Sequence, residues 1–89
     1  MTAVLEKILT ISEKERHWIQ VPSDSRKHFP SSNVSFRIHV GDVLTETYID
    51  NYGRLRLGSG IFNELDLTEP NTRAVIERNS NGTYTLKRK

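Results

Sequence analysis

Two short stretches hold most of the side chains able to do chemistry. Lys14, Arg16 and His17 crowd one, and Asn51, Tyr52, Arg54 and Arg56 crowd the other. Their chemistry is recognition rather than bond-making. An arginine fork matches guanine N7 and O6, and an asparagine amide matches adenine N7 and N6. Such groups read bases only when a scaffold projects them into the major groove, which two protruding loops can do. Ser23, Ser25 and Lys27 form a third set, in which hydroxyls, an ammonium and the amides of a short helix suit a phosphate. Taken one at a time, each residue reads more simply as a solvated side chain, and Tyr52 as a packing residue of a hairpin.

Catalytic patterns are missing. No serine sits in a nucleophile elbow, and no glycine-rich phosphate loop precedes a helix. His17, His28 and His39 lack the spacings that metal sites favour, and one strand face cannot present His39, Asp42 and Glu46 together. Glu64 and Asp66 pair two carboxylates without a cleft around them and read as a solvated helix end. The expectation is therefore no enzyme activity, no cofactor and no metal. A metal-dependent nuclease fragment would need clustered acids beside a lysine, and no convincing set is present.

The elements that must position these residues are bounded by size. At 89 residues the chain is one domain, residues 1–89, whether it is a full small protein or an excised piece. With no cysteine, disulfides and thiolate metal sites are excluded, which fits a reducing cytosol. No apolar run approaches a membrane span and the N-terminus lacks a signal-peptide core, so the expected location is cytoplasmic, at the nucleoid if the chain is bacterial and bound to DNA. The formal net charge of +2 is too small to announce a polyanion partner. Its distribution says more: basic residues gather at Lys14 and Arg16, Arg26 to His28, Arg54 and Arg56, and Lys87 to Lys89, apart from the acids Glu64, Asp66 and Glu69. By charge alone, an ordinary solvated surface explains this equally simply.

The chain reads as about seven short strands and two short helices. Val4 to Ser12 is a strand with a frayed start, and Ser12 to Arg16 is too charged for a core and reads as an exposed loop. Trp18 to Val21 is a strand that Pro22 ends. Ser23 or Ser25 can cap a brief helix, which Phe29-Pro30 stops because a residue before proline avoids the α region. Val34, Phe36, Ile38 and Val40 alternate with Ser35, Arg37 and His39, the cleanest period-two strand of the chain. Gly41-Asp42 turns into Val43 to Ile49, and Asp50-Asn51-Tyr52-Gly53 forms a loop leading to the strand Arg54 to Leu57. After Gly58-Ser59-Gly60, Ile61, Phe62 and Leu65 sit at helical spacing. Glu69-Pro70-Asn71 turns the chain, and Arg73 to Arg78 pairs with Thr83 to Lys87 across Asn79 to Gly82. Strands this closely spaced predict a closed or nearly closed β-barrel, which also removes exposed edges.

"WIQVPSDSRKHFP" resembles the segment of plant B3 transcription-factor domains that reads strand, aliphatic-Pro, short basic helix, Phe-Pro. The likeness continues in order through "GSGIFNEL", "LDLTEPN" and "AVIE", and spans nearly everything from Lys7 onward. Plant members usually carry Gly-Asp after the leucine, where Pro70-Asn71 stands here. The resemblance implies a seven-stranded DNA-binding pseudobarrel with two short helices and a wrench-like pair of arms in the major groove, a fold shared with bacterial restriction-enzyme recognition domains of the EcoRII and BfiI type. The family's first arm matches Ser12 to His17 and its second matches Asp50 to Arg56. The lean loops favour a bacterial or phage relative. The expected function is sequence-specific binding of double-stranded DNA, as the recognition module of a bacterial restriction enzyme or as a regulator, with a nuclease domain or partner subunit attached or nearby. The alternative is a small β-barrel protein-interaction module without DNA binding, which would expose an apolar patch.

Overall fold

The computed structural model describes residues 2–67, 69 and 72–89. The expected turn at Pro70 and Asn71 lies outside them. The described residues form seven strands: β1 (Thr2–Ile8), β2 (Trp18–Gln20), β3 (Phe36–Val40), β4 (Val43–Thr47), β5 (Arg54–Arg56), β6 (Arg73–Arg78) and β7 (Tyr84–Arg88). Two helices join them, α1 (Ile11–Arg16) and α2 (Ser59–Glu64), with a short 3₁₀ turn at Arg26–His28.

β3 shows the predicted alternation, with Phe36, Ile38 and Val40 buried between the exposed Arg37 and half-buried His39. It begins at Phe36 rather than Val34. Asn33 takes a left-handed φ of 67°, and the Val34 amide donates back to the Ser31 carbonyl, which turns Val34 outward. β1 ends at Ile8, short of the expected Ser12, because α1 begins there. The segment Ser12 to Arg16, expected as a loop, is helical. Its first turn is closed by a capping box: Thr10 Oγ1 accepts the Glu13 amide at 3.2 Å, and Glu13 Oε1 accepts the Thr10 amide at 2.9 Å. His17 ends the helix in a left-handed conformation, φ 61°, its amide bonded to the Glu13 carbonyl.

The strands form two sheets, one ordered β1-β6-β7-β3-β4 and the other β2-β5. All pairs are antiparallel except β3 with β7. The sheets meet at one corner, where the chain after β4 runs beside β5 through a bridge between Ile49 and Leu55. The opposite corner, between β2 and β1, carries no ladder among the described residues, so of the expected closed or nearly closed barrel the closed form is not what the chain adopts. The physical cause lies in Gln20. Its amide and carbonyl, which a closing ladder would need, are taken by side chains: Glu13 Oε2 accepts the amide at 2.6 Å, and Lys7 Nζ donates to the carbonyl at 3.1 Å.

Between the sheets lies one apolar cluster. Ile19 and Leu55 of the small sheet bury against a core that includes Ile38, Ile76 and Leu86 of the large one, and Phe62 and Leu67 seal it. Each such side chain contributes about 1.5–3 kcal/mol of burial. The stretch after Pro22 serves the same core. Phe29 stacks on Tyr84 at 5.0 Å and meets Phe36 at 5.9 Å, while the Tyr84 hydroxyl donates to the His28 carbonyl at 2.5 Å. The expected capped helix there is only the 3₁₀ turn, and neither Ser25 nor another side chain caps it.

Candidate nucleic-acid interface

β2 and β5 pair Trp18 with Arg56, Ile19 with Leu55 and Gln20 with Arg54. Because strand side chains alternate, Ile19 and Leu55 point into the core and Trp18, Gln20, Arg54 and Arg56 share the opposite face. α1 adjoins one end of this ribbon, where the amides of Leu57 and Gly58 donate to the His17 carbonyl. The turn Asp50 to Gly53 adjoins the other end, where the Val21 amide donates to the Gly53 carbonyl. The expected first arm, Ser12 to His17, is therefore a helix at one end of the ribbon, and the expected second arm, Asp50 to Arg56, is the tight turn at the other end together with β5 itself.

Aromatic and cationic groups interleave across the face. The Arg54 guanidinium lies 4.4 Å from the centre of the Trp18 ring and 4.7 Å from that of Tyr52. Arg16 and Arg56 approach the Trp18 ring at 5.7 and 5.6 Å. These are cation–π distances, which hold the guanidiniums without neutralising them. Tyr52 at the tip of the turn is 72% exposed.

A single carboxylate organises this end. Asp50 Oδ1 accepts the amides of Tyr52 and Arg54 at 2.9 and 3.0 Å, and Oδ2 accepts Nε of Arg54 and of Arg56 at 2.9 and 3.1 Å. Burial pushes the Asp50 carboxyl up, but the two amides and the two guanidiniums outweigh it and hold the group below its ordinary 3.8. Gly53 closes the turn with φ 78°, and the Arg26 guanidinium packs over the space a Cβ would occupy there. Gln20 Nε2 donates to the Tyr52 carbonyl at 2.7 Å and ties the turn to β2.

The first arm has its own buried anchor. The Glu13 side chain is buried, bonded to the Thr10 and Gln20 amides and paired with Lys7 at 2.9 Å. Burial raises its carboxyl, and the Thr10 amide, Lys7 and the Gln20 amide lower it further than burial lifts it. Lys14 extends to the Glu69 carbonyl at 2.9 Å. His17 sets its ring edge-on to Phe62 at 5.4 Å, a packing contact beneath the arm.

The third expected set is laid out differently from its sequence reading. The amides of Ser25 and Arg26 both donate to the Pro22 carbonyl, and those of His28 and Phe29 bond within the turn, so these helix amides are not free for a phosphate. Ser23 and Lys27 are exposed and Ser25 is half-buried. Arg26 folds back: its Nε donates to the Val21 carbonyl at 3.3 Å. Asn51 Oδ1 accepts Asn33 Nδ2 at 2.7 Å, which bridges the second arm to the loop before β3.

Trp18, Gln20 and Asp50 belong to the site and were not singled out by sequence reasoning. Each carried a signal. "WIQV" alternates in period two, placing Trp18 and Gln20 on one face, and an aspartate two residues before an amide at the start of a turn is a common side-chain acceptor.

An open two-sheet β-domain with a basic, aromatic ribbon face between a helix and a turn is the class this fold and site define. Among solved structures, the N-terminal domain of Helicobacter pylori LlaJI.R1 has the same fold, with a TM-score of 0.73 over 99% of this chain and 87% of that one at 14% identity. No protein-family model matches the sequence, and no curated protein matches it.

Proposed function

We propose that this chain is a B3-like, sequence-specific binder of double-stranded DNA, with the β2–β5 ribbon face against the major groove and α1 and the Asp50–Gly53 turn as its two arms. The observation that carries the reading is the ribbon face itself. Three guanidiniums, of Arg16, Arg54 and Arg56, surround one tryptophan with Asp50 as the carboxylate among them, which leaves a positive, planar, hydrogen-bonding surface. The solved neighbour's designation is that of a restriction-system protein, which supports a role as the recognition module of such a system or as a regulator. On this reading the chain has no catalytic activity of its own, works in the cytoplasm, and serves a nuclease domain or partner subunit. Lys14, Asn51 and Tyr52 supply further base contacts, and Lys27 with Ser23 and Ser25 meets phosphates through side chains.

A second reading has its own observation: on the outer face of the edge strand β4 and just past it, Leu44 and Tyr48 are 45 and 39% exposed, a surface for docking protein. Selection from a randomised duplex library at two salt concentrations separates the two. An enriched short motif whose affinity falls steeply with salt is the expected result. Absence of any duplex binding at low salt would overturn the DNA reading in favour of the docking surface.

A further inference from the structure

Resting on that reading, we propose that Arg56 is the base-reading side chain of the β2–β5 ribbon, that Asp50 is the residue that positions it, and that Arg54 is a strut. The two arginines flank Leu55 and look interchangeable in sequence. Their surroundings are not alike. The Arg54 guanidinium has two aromatic rings within cation–π reach, Trp18 at 4.4 Å and Tyr52 at 4.7 Å, and its side chain is 22% exposed. Reaching into a groove would strip it of both rings. Arg56 has only the Trp18 ring near it, at 5.6 Å, and its side chain is 47% exposed.

Asp50 supplies the orientation. It holds Arg56 by Nε alone, at 3.1 Å, so the two terminal nitrogens of the guanidinium form the edge presented away from the carboxylate. That edge is the pair of parallel donors that matches guanine N7 and O6 end-on. Asp50 is itself immobilised by the Tyr52 and Arg54 amides and by Arg54 Nε, so the Arg56 fork is aimed before any duplex arrives. Preorganisation of this kind removes part of the ordering cost of binding and sharpens discrimination between bases more than it raises general affinity.

The test uses the duplex selected by the unmodified protein, together with duplexes altered at one base pair at a time. Arg56→Lys keeps the charge and loses the fork. It should erase about 5- to 150-fold of discrimination at a single base pair, with the salt dependence unchanged. Asp50→Asn should lose discrimination at that same base pair while binding random DNA as well as before or better. Arg54→Lys should lower the unfolding temperature and cost the folded fraction less discrimination at that base pair than Arg56→Lys does. Unaltered discrimination in Arg56→Lys, or its loss in Arg54→Lys alone, would overturn the assignment while leaving DNA recognition standing. An unmodified protein that binds no duplex would overturn the underlying reading instead. Arg56 is a surface residue, so its variant is expected to fold even if the Asp50 variant does not.

Discussion

Glu13→Gln tests whether the first arm is held by charge or merely by shape. The substitution keeps the volume and one acceptor oxygen and replaces the other with a donor. In the native site Oε1 accepts the Thr10 amide, while Oε2 accepts the Gln20 amide at 2.6 Å and the Lys7 ammonium at 2.9 Å. Whichever way the new amide turns, its NH₂ faces a backbone N–H. One buried amide is left unsatisfied, at about 1–3 kcal/mol, and the remaining hydrogen bond loses its charge assistance, about 1 kcal/mol more. Lys7, with 22% of its side chain exposed, rehydrates, so little is added for the broken pair. The sum is about 3 kcal/mol, which for a domain of this size lowers the unfolding midpoint by about 12–24 °C. Thermal unfolding followed by circular dichroism at neutral pH measures it. The comparison is then repeated in acid. The folded Glu13 carboxyl sits below its ordinary 4.5, so its contribution is complete above that value and disappears as pH falls through the lower folded value. The gap between native protein and variant should therefore close in acid. A midpoint within about 2 °C of native at neutral pH would refute the charge account, since even one unsatisfied amide exceeds that.

Further outcomes follow from other parts of the site. Gly53→Ala forces a side chain into φ 78° and brings its Cβ onto the Arg26 guanidinium, so urea unfolding should show a loss of about 1–2 kcal/mol; an unchanged midpoint would mean that the turn relaxes freely. Lys27→Ala should weaken binding to all duplexes alike and reduce the slope of log affinity against log salt by about one, whereas an unchanged slope removes Lys27 from the phosphate contacts. Trp18 is the one tryptophan of the chain and lies within the proposed interface, so its fluorescence should change when a duplex binds. Binding without such a change would put the duplex elsewhere on the surface.

Local signals fared well where neighbours in sequence decide the outcome. The alternation from Phe36 to Val40 was legible because a period of two puts every second side chain into a core, whatever that core contains. The turn at Gly53 was legible because glycine tolerates a positive φ. The helix α1 was present in the sequence as a Thr10-to-Glu13 capping box, but its charges pointed to a loop. Glu13 is tolerable in the interior only because Lys7 and the Gln20 amide reach it from other strands.

The sequence by itself determined a single cysteine-free, strand-rich chain with its basic residues near two connecting segments. Tertiary structure alone decided that the barrel stays open, since whether Gln20 bonds a strand or two side chains depends on where Lys7 and Glu13 arrive. It alone also decided what each cation does. Arg54 and Arg56 share a composition and a strand, yet one has both Trp18 and Tyr52 within cation–π reach and the other is left with a more open edge. The β2–β5 register sets Trp18 opposite Arg56 and Gln20 opposite Arg54, so Arg54 meets the Trp18 ring on the diagonal across the ribbon. Register is a property of two segments far apart in the chain, and no window of sequence around either of them contains it.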